Sequence, residues 1–143
     1  MIPKTWSIEI DESTGVWIVT VHGELMIGDF GQFLSDMRKV PEHRKCINAL
    51  WDLRRVDQFP STNEIHLLSN RVRSDAMRPH RLAIVVERDD HFGLSRMFEM
   101  LSEQPGIEQR VFRDYDRAQQ WLTQPWTVEE APWVYTQYTR VSF

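Results

Sequence analysis

The chain begins with apolar and polar residues that alternate with the period of a β-strand. Two such segments, residues 5–10 and 16–22, flank the turn-rich segment 11–15. Each segment places three apolar side chains on one face, first Trp6, Ile8 and Ile10, then Trp17, Val19 and Val21. Period-two alternation on both sides of a short polar turn predicts a β-hairpin.

Three later segments are also predicted as strands. Residues 46–53 and 81–87 are apolar on both faces and too short for helices, which is typical of central strands in a parallel sheet. Residues 108–113 form a shorter strand.

Helical spacing of apolar residues fills the intervals between these strands. The first stripe follows Gly23 and reaches about Lys39, and Asp29 can cap its start. Later stripes start near residues 61–63, 89–90 and 114, and the last two end at Pro105 and Pro125. Their apolar positions are Ile65, Leu68 and Val72, then Phe92, Leu94, Met97, Phe98 and Leu101, and finally Tyr115, Ala118, Trp121 and Leu122.

The resulting order is β-β-α-β-α-β-α-β-α, which predicts an α/β fold: an N-terminal β-hairpin followed by three β-α units. Crossovers of helix length make the later strands parallel, so we expect a mixed, mostly parallel sheet of about five strands. Residues 1–124 would form this domain. Residues 125–143 would form an aromatic C-terminal extension that packs on the domain or on a partner subunit.

Composition excludes several classes of function. A formal charge of -4 with scattered arginines argues against DNA or RNA as a partner. Cys46, the single cysteine, lies in an apolar run and is interpreted as a core residue of a protein from a reducing compartment. No run approaches 18 apolar residues, so we expect no membrane span and a cytoplasmic location.

Common catalytic and cofactor motifs are absent from the sequence. The six glycines form neither of the usual phosphate-binding loops, no Gly-x-Ser-x-Gly elbow occurs, and the five histidines show no zinc-ligand spacing. We therefore assign no catalytic residue, no metal site and no cofactor, and expect a protein that is not an enzyme.

Any site should lie in the loops after the parallel strands, where ligands bind in open α/β sheets. Three polar loops are predicted there, at residues 52–62, 87–91 and 113–114. They lie near helix N-termini, which favour anions. The candidate residues of the ligand or partner loop are Asp52, Arg54, Arg55, Asp57, Thr62, Arg88, Asp89, Asp90 and His91.

The first loop carries a family resemblance. Residues 50–62 resemble the strand-loop-helix segment of anti-sigma-factor antagonists, or STAS domains, with Asp52, Leu53, Val56 and Ser61 in register. The element order and residues 111–122 are similar to the SpoIIAA-like branch of that family, which is shared with the lipid-carrying SEC14 type. The likeness covers about residues 5–124; Pro60 and Asn63 depart from the family pattern.

This resemblance implies a non-catalytic regulatory or binding domain that acts through protein-protein contacts, with a protein partner or as a homo-oligomer. It also implies that Ser61 is a phosphoacceptor. The same residue fits an ordinary capping box with Glu64, and capping is the favoured interpretation.

Two alternatives stay open at this point. Met97, Met100 and Phe98 could line a cavity for a small apolar ligand or lipid, as in a SEC14-like carrier, although core packing explains their spacing. Asp52, Asp89, Asp90 and His91 could also hold a metal ion in a metal-dependent enzyme. Capping of a helix by Asp89 or Asp90 is favoured over that metal site.

Overall fold

The five strands form one mixed sheet in the order β1-β2-β3-β4-β5. The computed structural model describes residues 6–25, 28, 32, 48–74, 80–103 and 107–125. The strands and helices in chain order are β1 (Trp6–Asp11), β2 (Val16–Glu24), β3 (Ala49–Gln58), α1 (Thr62–Ser74), β4 (His80–Val85), α2 (Asp89–Leu101), β5 (Ile107–Phe112) and α3 (Tyr115–Leu122).

Strands β1 and β2 pair in antiparallel fashion, with Trp6 opposite Val21 and Ile10 opposite Trp17. The predicted hairpin is therefore confirmed. The remaining pairs, β2-β3, β3-β4 and β4-β5, are all parallel, as the helix-length crossovers predict. Gly15 ends the hairpin turn with φ +73, a conformation that costs glycine little.

Two expected features fall partly or wholly outside the described residues. The first predicted helix, which was expected to reach Lys39, is described at two residues. These are Gly28 and Gln32, and both are helical. Residues 126–143, the aromatic extension, lie outside the described part of the chain.

Apolar layers cover both faces of the sheet. On one face, Val19, Trp51 and Ile84 pack with Ile65 and Phe98, so that α1 and α2 cover the sheet. On the other face, α3 provides the cover through Ala118, Trp121 and Leu122, which pack with Val16, Leu50, Ala83 and Val85. Two-sided burial explains why β3 and β4 are apolar at consecutive positions.

Strand β3 continues further than its apolar pattern predicts. The expected strand ended at residue 53, whereas β3 runs to Gln58. Thr20 of β2 lies opposite Asp52, but His22 lies opposite Arg55, so β3 contains one extra residue at this point. A second extra residue occurs before Gln58. Such bulges shift the alternation of side chains between the two faces.

The consequence is that Leu53 and Val56, three positions apart, are both buried in the same apolar layer. The polar residues around them therefore belong to a bulged strand, and the prediction of a loop over residues 52–58 is wrong. The turn between β3 and α1 is confined to residues 59–61.

The amino-terminal edge of the parallel strands is fixed by a buried arginine. Arg81, only 1% exposed, donates hydrogen bonds from Nη1 to the carbonyl oxygens of Trp121 (2.9 Å) and Gln124 (2.6 Å). Asn48 donates to the carbonyl of Leu122 at 2.8 Å. These bonds satisfy carbonyl groups that the end of a helix leaves without partners, so they hold the end of α3 against β3 and β4.

Candidate functional site

Because β2 to β5 run parallel, their carboxyl ends face the same edge of the sheet. The turns after β3, β4 and β5 lie there, at residues 59–61, 86–88 and 113–114. We call this the carboxyl edge. The candidate residues are distributed over it as follows: Asp52, Arg54, Arg55 and Asp57 in β3, Thr62 at the start of α1, Arg88 before α2, and Asp89, Asp90 and His91 in the first turn of α2.

Arginine-carboxylate pairs dominate the carboxyl edge. Arg54 binds Asp52 with two hydrogen bonds of 2.9 Å, from Nε and Nη2. Arg88 binds Asp90 in the same two-pronged way, at 3.0 and 2.9 Å, and Arg113 pairs with Asp89. The anion-favouring start of α2 is therefore occupied by carboxylates of the chain itself.

Two of these pairs change the acidity of the aspartates. Burial of Asp52 opposes its ionisation, but the hydrogen bonds and charge of Arg54 outweigh burial and hold the pKa of Asp52 below its usual 3.8. A hydrogen bond from the Arg88 side chain likewise lowers the pKa of Asp90. Both carboxylates are thus ionised at neutral pH.

Aromatic rings support two of the arginines. The Arg54 guanidinium lies 4.8 Å from the ring centroid of Tyr115, and the Arg113 guanidinium lies 4.7 Å from that of Phe92. Cation-π contacts of this kind connect β3 to the start of α3, and the turn after β5 to α2.

His91, like Asp52, is a buried member of the carboxyl edge. Its side chain is only 2% exposed, and its ring stacks on Phe59 with centroids 4.5 Å apart. Burial lowers the pKa of His91 below 6.5, against the opposing effect of Asp90. The stack connects α2 to the turn that precedes α1.

Ser61 caps α1 as the sequence predicts. Its Oγ accepts a hydrogen bond from the backbone N–H of Glu64 at 3.3 Å, and its own N–H donates to Glu64 Oε1 at 3.1 Å. This reciprocal arrangement is the capping box. Ser61 is exposed to solvent.

The exposed face of α1 continues from Ser61. Leu67 is 61% exposed there. We call this face the α1 surface; it consists of Ser61, Thr62, Asn63, His66, Leu67 and Asn70. Leu67 was missed as a candidate, although it departs from the buried stripe of Ile65, Leu68 and Val72 and could have been noticed for that reason.

The residues proposed as metal ligands do not come together. Within the described ranges, no group of three or more His, Cys, Asp or Glu side chains is placed to hold a metal ion. The N-cap of α2 is Arg88, whose side chain makes no capping bond, and the predicted cap is present only in part: Asp90 Oδ1 accepts from the backbone N–H of His91 at 3.0 Å within the first turn. Asp114 does cap α3, accepting from the N–H of Arg117 at 3.1 Å.

A small cavity lies between the sheet and helices α1 and α2. Its volume is about 20 Å³, enough for a single water-sized molecule, whereas drug-sized ligands occupy roughly 300–1,000 Å³. A lipid would not fit unless the cavity opened. Among the described residues, those that line it are Leu25, Trp51, Leu53, Phe59, Pro60, Ile65, Leu68, Ile84, Ser95 and Phe98. Met97 and Met100 do not line it.

Comparisons with known proteins bear on the fold. No family model matches the chain, and no curated protein matches it. The chain is similar to the crystal structure of an uncharacterized protein of the DUF3478 family with a SpoIIAA-like fold from Shewanella loihica PV-4, with a TM-score of 0.55 and 21% identity. The match covers 82% of this chain and 91% of that one. The chain therefore has a SpoIIAA-like α/β fold, which confirms the fold that the resemblance implies.

One further finding concerns membranes. Within the described parts of the chain, no helix has both the length and the apolar character needed to span a bilayer.

Proposed function

We propose that the chain is a non-catalytic, SpoIIAA-like regulatory domain that acts through protein-protein contacts at the α1 surface. One observation carries the proposal: an exposed serine caps the first turn of α1, next to a turn at the carboxyl edge. Its hydroxyl is accessible to another protein, and phosphorylation there would change the charge of the whole surface.

Phosphorylation of Ser61 would have a defined local effect. A phosphate carries about -1.5 to -2 charges, and the N-terminus of a helix favours such a charge. The Glu64 carboxylate, however, already binds the N–H of Ser61 at 3.1 Å. Repulsion would displace Glu64, so the modification would replace the capping box with a phosphate cap and leave the helix folded.

The surroundings of Ser61 are suited to contacts with a protein. Leu67 provides an exposed apolar side chain one turn beyond Asn63 on the same helix face. Arg55 and Asp57, both exposed at the projecting end of β3, add charged groups of both signs beside the turn. An apolar residue with a charged rim is the usual composition of a protein interface.

The experiment compares self-association and partner binding of the wild-type chain with those of Ser61→Asp and Leu67→Asp, by sedimentation and by pull-down from the host. Both variants are expected to weaken or redirect binding while the circular dichroism spectrum is unchanged. Gln120→Glu, which adds a charge at an exposed position of α3 on the opposite face of the sheet, is a control for charge alone.

Mass spectrometry of protein isolated from its host tests the modification separately. Phosphate on Ser61 is the expected result. Association that is identical in wild type, Ser61→Asp and Leu67→Asp would contradict the proposal that the α1 surface is the contact site.

A further inference from the structure

Strand β5 is the last strand of the sheet. It pairs with β4 along its length, from His80 opposite Ile107 to Val85 opposite Phe112, and within the described residues no strand pairs with its other side. We call that other side the outer side of β5. An unpaired strand presents a row of backbone N–H and C=O groups with which a strand of another chain can pair.

The hydrogen bonds to β4 show which backbone groups point to the outer side. The carbonyl of Phe112 accepts from the N–H of Val86 at 3.0 Å, so Phe112 faces β4. In a parallel ladder, the backbone groups of every second residue face the same neighbour. The residues of β5 whose backbone groups point to the outer side are therefore Ile107, Gln109 and Val111.

Two side chains of opposite charge lie on one face of β5. Glu108 is 3.5 Å from Arg81, and the guanidinium of Arg110 is 5.2 Å from the Trp121 ring centroid, so both are on the face that α3 covers. Gln109 lies between them in the strand and points to the opposite face, because successive side chains of a strand alternate. The strand thus has an acidic residue on one side of Gln109 and a basic residue on the other.

Neither charge is fully matched in the described part of the chain. Arg110 is exposed, and among the described residues it contacts the Trp121 ring and forms no ion pair. The Glu108 side chain is 35% exposed, and its Oε2 has no hydrogen-bond partner there. Both residues are therefore available to a charge that another chain supplies.

The other edge strand of the sheet lacks this arrangement. β1 contains Glu9 and Asp11 and no basic residue, so two copies of β1 would bring acidic residues together. Two antiparallel copies of β5 centred on Gln109 instead place Glu108 of each copy opposite Arg110 of the other. Opposite charges directly across two strands are favourable, and like charges are unfavourable.

We propose that two copies of the chain pair through the outer sides of their β5 strands, antiparallel and about a two-fold axis at Gln109, so that their sheets form one continuous sheet. The backbone fits this register, because Gln109 lies opposite Gln109 of the second copy and Ile107 lies opposite Val111. These are the residues whose groups point outward, and each such pair exchanges two hydrogen bonds. Glu108 and Arg110 then occupy the pairs without hydrogen bonds, in which opposing side chains are closest.

A two-fold axis makes each contact occur twice, once in each direction. The dimer is therefore closed, since the outer side of each β5 strand is covered by that of the other copy. The inference concerns a surface other than the α1 surface and does not rest on the proposed function.

The first test is sedimentation of the full chain over a range of concentrations. Wild type should form a dimer, and Arg110→Glu should raise the Kd of that dimer about tenfold or more, because both opposite-charge pairs become like-charge pairs. Arg117→Glu makes the same change of charge at an exposed position of α3 and should form the dimer as wild type does. Added salt should weaken the wild-type dimer, because it screens the ion pairs.

A mixture of two variants tests the pairing directly. Glu108→Arg should also dimerise poorly by itself, because it places two basic residues opposite each other. Mixed with Arg110→Glu, it restores opposite charges in both pairs, so the mixture should form a heterodimer with about the affinity of wild type. Circular dichroism checks that each variant is folded.

Cysteine cross-linking tests the register and does not depend on the folding of Glu108→Arg. Opposed residues in a hydrogen-bonded antiparallel pair have Cα atoms about 5.5 Å apart, a distance that a disulfide spans. Gln109→Cys should therefore give a disulfide-linked dimer on mild oxidation. Gln120→Cys, on α3, and wild type, whose single cysteine is Cys46, are the controls and should not. Adding Leu67→Asp should leave the cross-link intact, which separates this dimer from contacts at the α1 surface.

Four results would overturn the proposal. They are a wild-type chain that stays monomeric at every concentration, equal dimer affinity in Arg110→Glu and Arg117→Glu, a mixture of folded Glu108→Arg and Arg110→Glu that forms no heterodimer, and a Gln109→Cys chain that does not cross-link.

Discussion

Arginine stabilises both edges of the sheet, but in opposite environments. At the amino edge, Arg81 is buried and donates to backbone carbonyl groups at the end of α3. At the carboxyl edge, Arg54, Arg88 and Arg113 are exposed and bind aspartate side chains. The same guanidinium group therefore fixes the backbone at one edge and forms ion pairs at the other, where all three arginines are exposed and, of their three aspartate partners, only Asp52 is buried.

The difference assigns separate roles to the two edges. Buried donors that satisfy backbone carbonyls are costly to remove, because water cannot replace them. Exposed ion pairs contribute little to stability, and water or a partner protein can replace either member. The amino edge thus holds the fold together, and the carboxyl edge is free to exchange its contacts.

The sharpest test of this comparison is Arg81→Met. Loss of the guanidinium leaves the carbonyls of Trp121 and Gln124 without these donors and removes the cation 3.5 Å from Glu108. We expect the free energy of unfolding to fall by about 2–4 kcal/mol, because each carbonyl left without its buried donor costs roughly 1–3 kcal/mol. Urea denaturation followed by circular dichroism measures this change.

Arg110→Met is the matched control. The guanidinium groups of Arg81 and Arg110 lie 5.4 and 5.2 Å from the Trp121 ring centroid, but Arg110 is exposed, so its loss should cost less than about 1 kcal/mol. Equal losses in the two variants would mean that contact with the Trp121 ring, and not the carbonyl bonds of Arg81, stabilises the amino edge.

Ser61→Ala is expected to have an intermediate effect. Removal of the capping hydroxyl should lower the free energy of unfolding by about 1 kcal/mol, within a usual range of roughly 0.5–2. Thermal denaturation of Ser61→Ala and of Thr62→Ala would show it, because Thr62 has the same exposure and is not the capping residue. A larger loss for Thr62→Ala would contradict the assigned cap.

Arg54→Met should cost less, about 1 kcal/mol or below at pH 7, because the Arg54 side chain is 41% exposed even though that of Asp52 is only 12% exposed. Its dependence on pH is more informative. The pKa of Asp52 is lowered in the folded chain, so the contribution of the pair is complete above pH 4 and is lost as the pH falls through the lowered pKa. The stability curves of wild type and Arg54→Met should converge in that acid range; curves that stay parallel would rule out this pair as the cause.

The sequence predicted those elements that are determined by residues close to them along the chain. The hairpin followed from alternation, the start of α1 from Ser61 and Glu64, and the start of α3 from Asp114, because each signal lies within a few residues of the structure it determines. The parallel order of the later strands followed from crossover length. The unbroken apolar runs of β3 and β4 predicted that both faces of these strands are buried.

Features that depend on distant partners were not predictable in this way. Arg81 begins an apolar run, and only the fold shows that its acceptors are 40 and 43 residues further on. The bulges in β3 are fixed by pairing with β2, so the segment after Leu53 was mistaken for a loop. The small cavity between the sheet and helices α1 and α2 likewise arises from packing between elements.

The smallest expected effect is that of His91 on the free energy of unfolding. It appears only at acid pH and is absent at neutral pH. His91 is a buried histidine of the carboxyl edge, and burial lowers its pKa below the value of about 6.5 in the unfolded chain. Protons then bind more tightly to the unfolded chain, so stability is complete above pH 6.5 and declines as the pH falls toward the lowered pKa.

His91→Phe keeps a ring against Phe59 but cannot be protonated. Urea denaturation between pH 7.5 and 5 should therefore show a decline for wild type that is missing in His91→Phe, while His22→Gln, at an exposed position in β2, should follow wild type. An identical decline in His91→Phe would contradict the role given to His91, and it could not be assigned to Asp52 or Asp90 either, because their lowered pKa values keep both ionised throughout this range.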